Sequence, residues 1–197
     1  MDRGGQWGER DGAAPQWEPY SRGILNHYVL ASDAEIQVDR STGADLTRWW
    51  FVAPPKFHGN HVNAYGGQLH FSLGSTAGDF SPPKRHSGAR LVEIECATCA
   101  ANTGIRLAYF AQGSDLDGST KALTIPLTAS SWRKDPKSTI ETWTAPSTCE
   151  MVEVLSGVSA MRVLGDHTAW YESMALDDVG LERGSSSPPV DCAAWYH

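Results

Sequence analysis

Between residues 24 and 182 the chain repeats short β-type runs, each closed by a turn residue, and no feature constrains the fold more. Runs suited to strands fall near 24–31, 34–40, 48–53, 67–73, 90–97, 104–111, 121–128, 139–144, 159–164, 168–175 and 176–182. Gly66, Gly74, Gly88, Gly104, Gly113, Gly118 and Gly165 sit between or at the ends of these runs, where turns call on positive φ. Many short strands without alternating helices predict an all-β sandwich of two antiparallel sheets.

One segment breaks the rhythm. Glu150 follows Ser147 by three residues, the spacing of a capping box, and Met151, Val154, Leu155 and Val158 then recur at helical intervals. The spacing predicts one short helix, ended near Gly157, that plugs the sandwich with its apolar stripe.

Length and composition fit this plan. The 197 residues, 41% hydrophobic and 20% charged, are enough for one well-filled domain with tails. The domain is expected over 21–183, with residues 1–20 as a flexible tail and 184–197 as a Ser/Pro linker and aromatic end that folds back or serves as an interaction tag. The net charge is −7 and the basic residues are scattered, so no cationic patch is available to follow a phosphate backbone and nucleic acid is not an expected partner. No apolar run reaches the roughly 18 residues of a membrane span. The polar, Gly-rich opening also lacks the apolar centre of a secretory signal.

Four cysteines, Cys96, Cys99, Cys149 and Cys192, allow three complete pairings, and sequence does not choose among them. Cys96 and Cys99 have zinc or redox spacing, but no second such pair or histidine pair follows at finger spacing. On a strand, positions three apart point to opposite faces, which would bury one thiol and leave the other free or linked elsewhere.

Catalytic and metal patterns fare poorly. His58 and His61 lie in a turn with His70 further on, and no carboxylate supports them at a recognised spacing; they read as surface histidines. Asp115, Asp117 and Ser119 resemble the head of a calcium loop, but Pro126 stands where a bidentate Glu is required. Asp177 and Asp178 are adjacent on an expected strand and face opposite sides, so they cannot flank one bond. No catalytic residue, and no cofactor motif, is assigned.

The stretch "WWFVAPPKFHGN", followed by "AYGGQLHFSL", resembles the start of the laminin IV domain, also called the laminin B domain. Trp50, Phe51, Val52, Ala53, Pro54, Phe57, Gly59, Tyr65, Gly66, Leu69 and Phe71 carry the match, with His58 replacing a usual leucine. "GIRLAYF", Trp132, the helix and the closing Leu176, Asp177, Val179 and Leu181 extend it over about 48–182. The Cys96/Cys99 pair is not a family hallmark, and the Cys-rich epidermal-growth-factor-like repeats that normally flank the domain are absent from this sequence.

The resemblance implies a jelly-roll β-sandwich similar to carbohydrate-binding modules, extracellular or at the cell surface, and without catalysis. It also implies a structural role for Asp177, which bonds backbone or helps hold a structural cation such as calcium, although no motif marks one. The expected function is recognition or adhesion, with a glycan or glycoprotein as partner. Trp143, set between two threonines, and Trp170-Tyr171, where alternation turns one ring outward, are the candidate ligand-binding residues because rings stack on sugar C–H faces. The alternative is a structural subunit docked on protein partners in a larger assembly. A shallow aromatic cleft with convergent polar groups would favour binding, and a large apolar patch would favour docking.

Overall fold

The computed structural model describes residues 8–9, 16–19, 27–33, 48–185 and 192. The strands are β1 Gly8–Glu9, β2 Gln16–Pro19, β3 His27–Ser32, β4 Trp50–Val52, β5 Gln68–Gly78, β6 Arg90–Cys96, β7 Ile105–Phe110, β8 Lys121–Pro126, β9 Arg133–Lys134, β10 Ala160–Leu164 and β11 Glu172–Glu182; the helix α1 is Thr148–Ser156. They form two antiparallel sheets, β1-β4-β10-β6-β7-β9 and β2-β3-β11-β5-β8. The chain is therefore a β-sandwich, as its rhythm predicts, and of the jelly-roll type that the resemblance implies.

Alternation fills the space between the sheets. Leu69, Phe71 and Leu73 of β5, Val92 and Ile94 of β6, Met161 and Val163 of β10, and Met174 and Leu176 of β11 all join one buried cluster. Trp49 and Phe51 point into it with rings edge to face at 5.2 Å, and both are fully buried. Each such side chain contributes about 2–3 kcal/mol by leaving water. Trp50 and Val52 lie on the opposite face, and Pro54 opens a 3-10 turn, Pro55–Phe57, that ends the strand. Trp132 is fully buried and donates its indole N–H to the Pro126 carbonyl at 2.8 Å.

The helix begins as its capping box dictates. Ser147 Oγ accepts from the Glu150 N–H at 3.2 Å, and Glu150 Oε2 accepts from the Ser147 N–H at 2.7 Å. Met151, Val154 and Leu155 are fully buried, so the stripe closes the core.

Several expectations are corrected. Residues 139–144 form no strand; they are bends ending in a single bridge from Thr144 to Lys134, because the short strand of this region is β9. The two runs expected at 168–175 and 176–182 are one strand, β11, while residues 165–171 form a loop. A bulge interrupts the pairing between Asp177 and Gly180, with Asp178 at φ 52 and its N–H bonded to Asp177 Oδ1 at 2.8 Å. Within residues 1–20, β1 and β2 add to the sheet edges. The expected strand at 34–40 and the aromatic end after Cys192 lie outside the described residues.

Cys96 and Cys99 do not diverge on a strand. Pairing ends at Cys96, and Cys99–Asn102 turns left-handed, with φ of 49, 53 and 67 at Ala100, Ala101 and Asn102. This reversal brings the two sulfurs together in a disulfide; a second disulfide joins Cys149 on α1 to Cys192. Both partners of the first bond are buried, at 1% and 4% exposure.

Candidate functional site

Sheet register sets the surface chemistry. Val52, Arg162, Glu93, Ala108 and Arg133 are cross-strand neighbours in one row, and the adjacent row, Phe51, Val163, Val92 and Tyr109, faces the core. The first row therefore belongs to the outer face of the six-stranded sheet. That face carries an alternating chain of charges. Arg90 Nη1 lies 2.9 Å from Glu93 Oε1, Arg162 reaches Glu93 at 3.0 Å and Glu95 at 2.6 Å, and Arg106 reaches Glu95 at 2.7 Å and Asp135 at 3.4 Å. Glu93 and Arg162 are buried at 1% and 8% side-chain exposure, whereas Arg106 keeps 39%. The ladder is thus closed at its middle and open at its Arg106 end.

The aromatic end of the ladder contains Trp143. Its ring meets Phe110 edge to face at 5.7 Å, and the Arg90 guanidinium lies 5.3 Å from its centroid and 6.0 Å from that of Trp50. Cation–π contacts and an ion pair hold Arg90, so Trp143 is fixed while it stays half-exposed.

Beside the open end lie two adjoining clefts, of about 380 and 250 Å³, that share Thr103, Gly104, Ile105, Asp135 and Lys137. The left-handed turn forms one wall and residues 134–144 the other. Thr142 and Thr144 line the larger cleft on either side of Trp143. Lys134 is paired with Glu150 at 2.6 Å, and Lys137 donates to the Thr103 carbonyl. Glu141 is exposed and makes no ion pair among the described residues. Hydroxyls, carboxylates and ammonium groups converge here.

Trp170 and Tyr171 occupy a different place, the β10–β11 loop, with 36% and 55% exposure. Lys84 lies 5.4 Å from the Trp170 centroid and is ion-paired with Asp79 at 2.6 Å; that bond holds the Asp79 carboxyl down at about 2. The structure thus sets Trp143 and Trp170 in separate surroundings.

Beneath this loop is a buried polar cluster that sequence reasoning missed. His86 Nε2 pairs with Asp166 Oδ1 at 2.9 Å, Glu172 accepts from the His167 N–H, and Asp33 Oδ1 accepts from the Glu172 N–H at 2.8 Å. Burial, reinforced by nearby Asp166 and Asp33, pushes Glu172 up to about 9, and burial also raises Asp166 against the pull of His86. Burial lowers His167 to about 4. Single polar residues among apolar ones gave no periodic signal by which to find them.

His58, His61 and His70 are half-buried. Among the described residues no three His, Cys, Asp or Glu side chains converge to hold a metal ion. Asp115 and Asp117 form turns: Asp115 accepts from the Gln112 N–H at 2.7 Å, and Asp117 accepts from the Ser119 N–H at 3.0 Å and pairs with Lys121 at 2.6 Å. No helix is long and apolar enough to cross a membrane among the described residues.

The molecule is thus a β-sandwich whose outer face carries a polar cleft at its Arg106 end and a held aromatic ring, Trp143, at its Arg90 end. Residues 50–195 match the family model described as Laminin B (Domain IV), and the chain belongs to that family. Among solved structures it is similar to the L4b domain of human laminin alpha-2, with 14% identity, a TM-score of 0.61, and 85% of this chain and 86% of that one covered. It is also similar to a family 30 carbohydrate-binding module, with 10% identity, a TM-score of 0.50, and 96% and 90% covered. No curated protein sequence matches the chain. The laminin B family consists of noncatalytic extracellular modules, and the two disulfides fit an oxidising setting.

Proposed function

We propose that this chain is a noncatalytic recognition module, acting outside the cell, that binds a glycan or the glycan of a surface or matrix glycoprotein on the outer face that carries Trp143 and the cleft lined by Thr142 and Thr144. The observation that carries the reading is the placement of residues 142–144. Thr142 and Thr144 line a polar cleft, and Trp143, their neighbour along the chain but not part of the cleft lining, is held half-exposed by Arg90 and Phe110. A ring fixed before binding loses little side-chain entropy on meeting a sugar face, and nearby hydroxyls and carboxylates orient sugar hydroxyls. The similarity to a carbohydrate-binding module supports a frame of the right shape, but the chemistry rests on the cleft.

Docking as a structural subunit has less support. Among the described residues the exposed large hydrophobics are Ile140, Trp170 and Tyr171, too few for the broad apolar patch that a permanent partner covers. Titration of intrinsic tryptophan fluorescence with glycans tests the proposal. Binding lost in folded Trp143→Ala and kept in Trp170→Ala supports the cleft; the reverse pattern moves the site to the β10–β11 loop.

A further inference from the structure

We infer that the cleft selects uncharged sugars and rejects sulfated or uronic-acid glycans, an inference that rests on the glycan reading and narrows it. The basis is how the positive charges are spent. Each guanidinium of the ladder already faces a carboxylate: Arg90 has Glu93, Arg162 has Glu93 and Glu95, and Arg106 has Glu95 and Asp135. Lys134 is likewise held by Glu150.

A sulfate could recruit Arg162 only by displacing Glu93 or Glu95. Glu93 has 1% side-chain exposure and would be left as a buried charge with part of its pairing removed. Breaking one side of a buried pair leaves an uncompensated buried charge, a greater loss than a solvated sulfate recovers from a new contact. Lys137 is the one lining cation whose ammonium meets a carbonyl rather than a carboxylate. Around it stand Glu95, Asp135, Glu141 and Glu150. With Arg106, Lys134 and Lys137 counted against those four carboxylates, three positive charges meet four negative ones, so the two clefts carry a formal charge of 3 − 4 = −1.

This balance repels a polyanion and leaves a neutral sugar unaffected. Sugar hydroxyls both donate and accept, so they can bond to the exposed Glu141 carboxylate, to Thr142 and Thr144, and to the Lys137 ammonium without displacing an existing ion pair. The whole chain, at −7, adds to the repulsion at low salt.

The test is calorimetric titration of the full chain with neutral β-linked glucose and mannose hexaoses, and with heparin and hyaluronan hexasaccharides. A parallel series uses Glu141→Lys, an exposed change whose fold is checked by circular dichroism. The inference predicts that a neutral hexaose binds at least about tenfold more tightly than either anionic one. It also predicts that Glu141→Lys gains heparin binding that fades with salt. Preferential binding of heparin or hyaluronan by the unaltered chain overturns the inference and leaves the glycan reading standing. Failure of all four ligands overturns both.

Discussion

Glu172 accepts a hydrogen bond from the backbone N–H of His167, and both residues are withdrawn from solvent at the base of the β10–β11 loop. Their titrations act on stability in opposite directions. Glu172 rises to about 9, so the folded chain keeps a proton that the unfolded chain has released above the ordinary carboxylate range. Its contribution is complete in acid and is lost as pH climbs towards 9. His167 falls to about 4, so the unfolded chain binds the proton first, and its contribution is present above about 6.5 and lost as pH drops towards 4. Thermal melts across pH 5–9 are expected to show stability falling on the alkaline side. Glu172→Gln, which remains neutral, should flatten that limb; an unchanged alkaline slope contradicts this role.

The left-handed turn predicts a stabilising substitution. Ala101 is exposed at φ 53, a conformation that costs an L-residue roughly 1–2 kcal/mol. The turn is held by the Cys96–Cys99 bond and by Glu153 Oε1, which accepts from the Ala100 N–H at 2.8 Å. Ala101→Gly should therefore raise the urea midpoint by the equivalent of about 0.5–1 kcal/mol, since glycine adopts this region freely but also loosens the unfolded chain.

The two disulfides should differ in worth. Cys96 and Cys99 are separated by 3 positions, and Cys149 and Cys192 by 43. Loop-closure entropy then assigns roughly 2 kcal/mol to the first bond and about 4 kcal/mol to the second. Denaturant unfolding of the paired Cys→Ser variants checks the order, and a larger loss from the short loop reverses it.

Gly165 packs against Trp49 with no room to spare. A Cβ at this position would lie 1.9 Å from Cζ3 of the buried indole, so Gly165→Ala must displace a core ring. A loss of about 2–4 kcal/mol is expected by urea unfolding. Gly113, with nothing within 4 Å of its Cβ position, should tolerate alanine and serves as the control.

The sandwich was legible because its signals are periodic and local. Leu69, Phe71 and Leu73 alternate in sequence as they do in the sheet, and Ser147 with Glu150 states the helix start in four residues. Long-range pairing was hidden. Arg162 meets Glu93 across 69 positions, and no spacing announces it. Cys96 and Cys99 misled in the other direction, since strand geometry separates them and only a left-handed reversal joins them. Of the proposed ligand contacts, Trp143 could be singled out by its threonine neighbours, but the cleft that Thr142 and Thr144 line depends on the turn at 97–104 and could not be.

Glycan-array binding of the full chain alongside folded Trp143→Ala and Trp170→Ala addresses the central claim most directly. Selective binding by the unaltered chain, lost in Trp143→Ala and retained in Trp170→Ala, is the predicted result. Silence across the array, in a chain shown by circular dichroism to be folded, contradicts glycan recognition and turns the assignment to a protein-docking structural subunit.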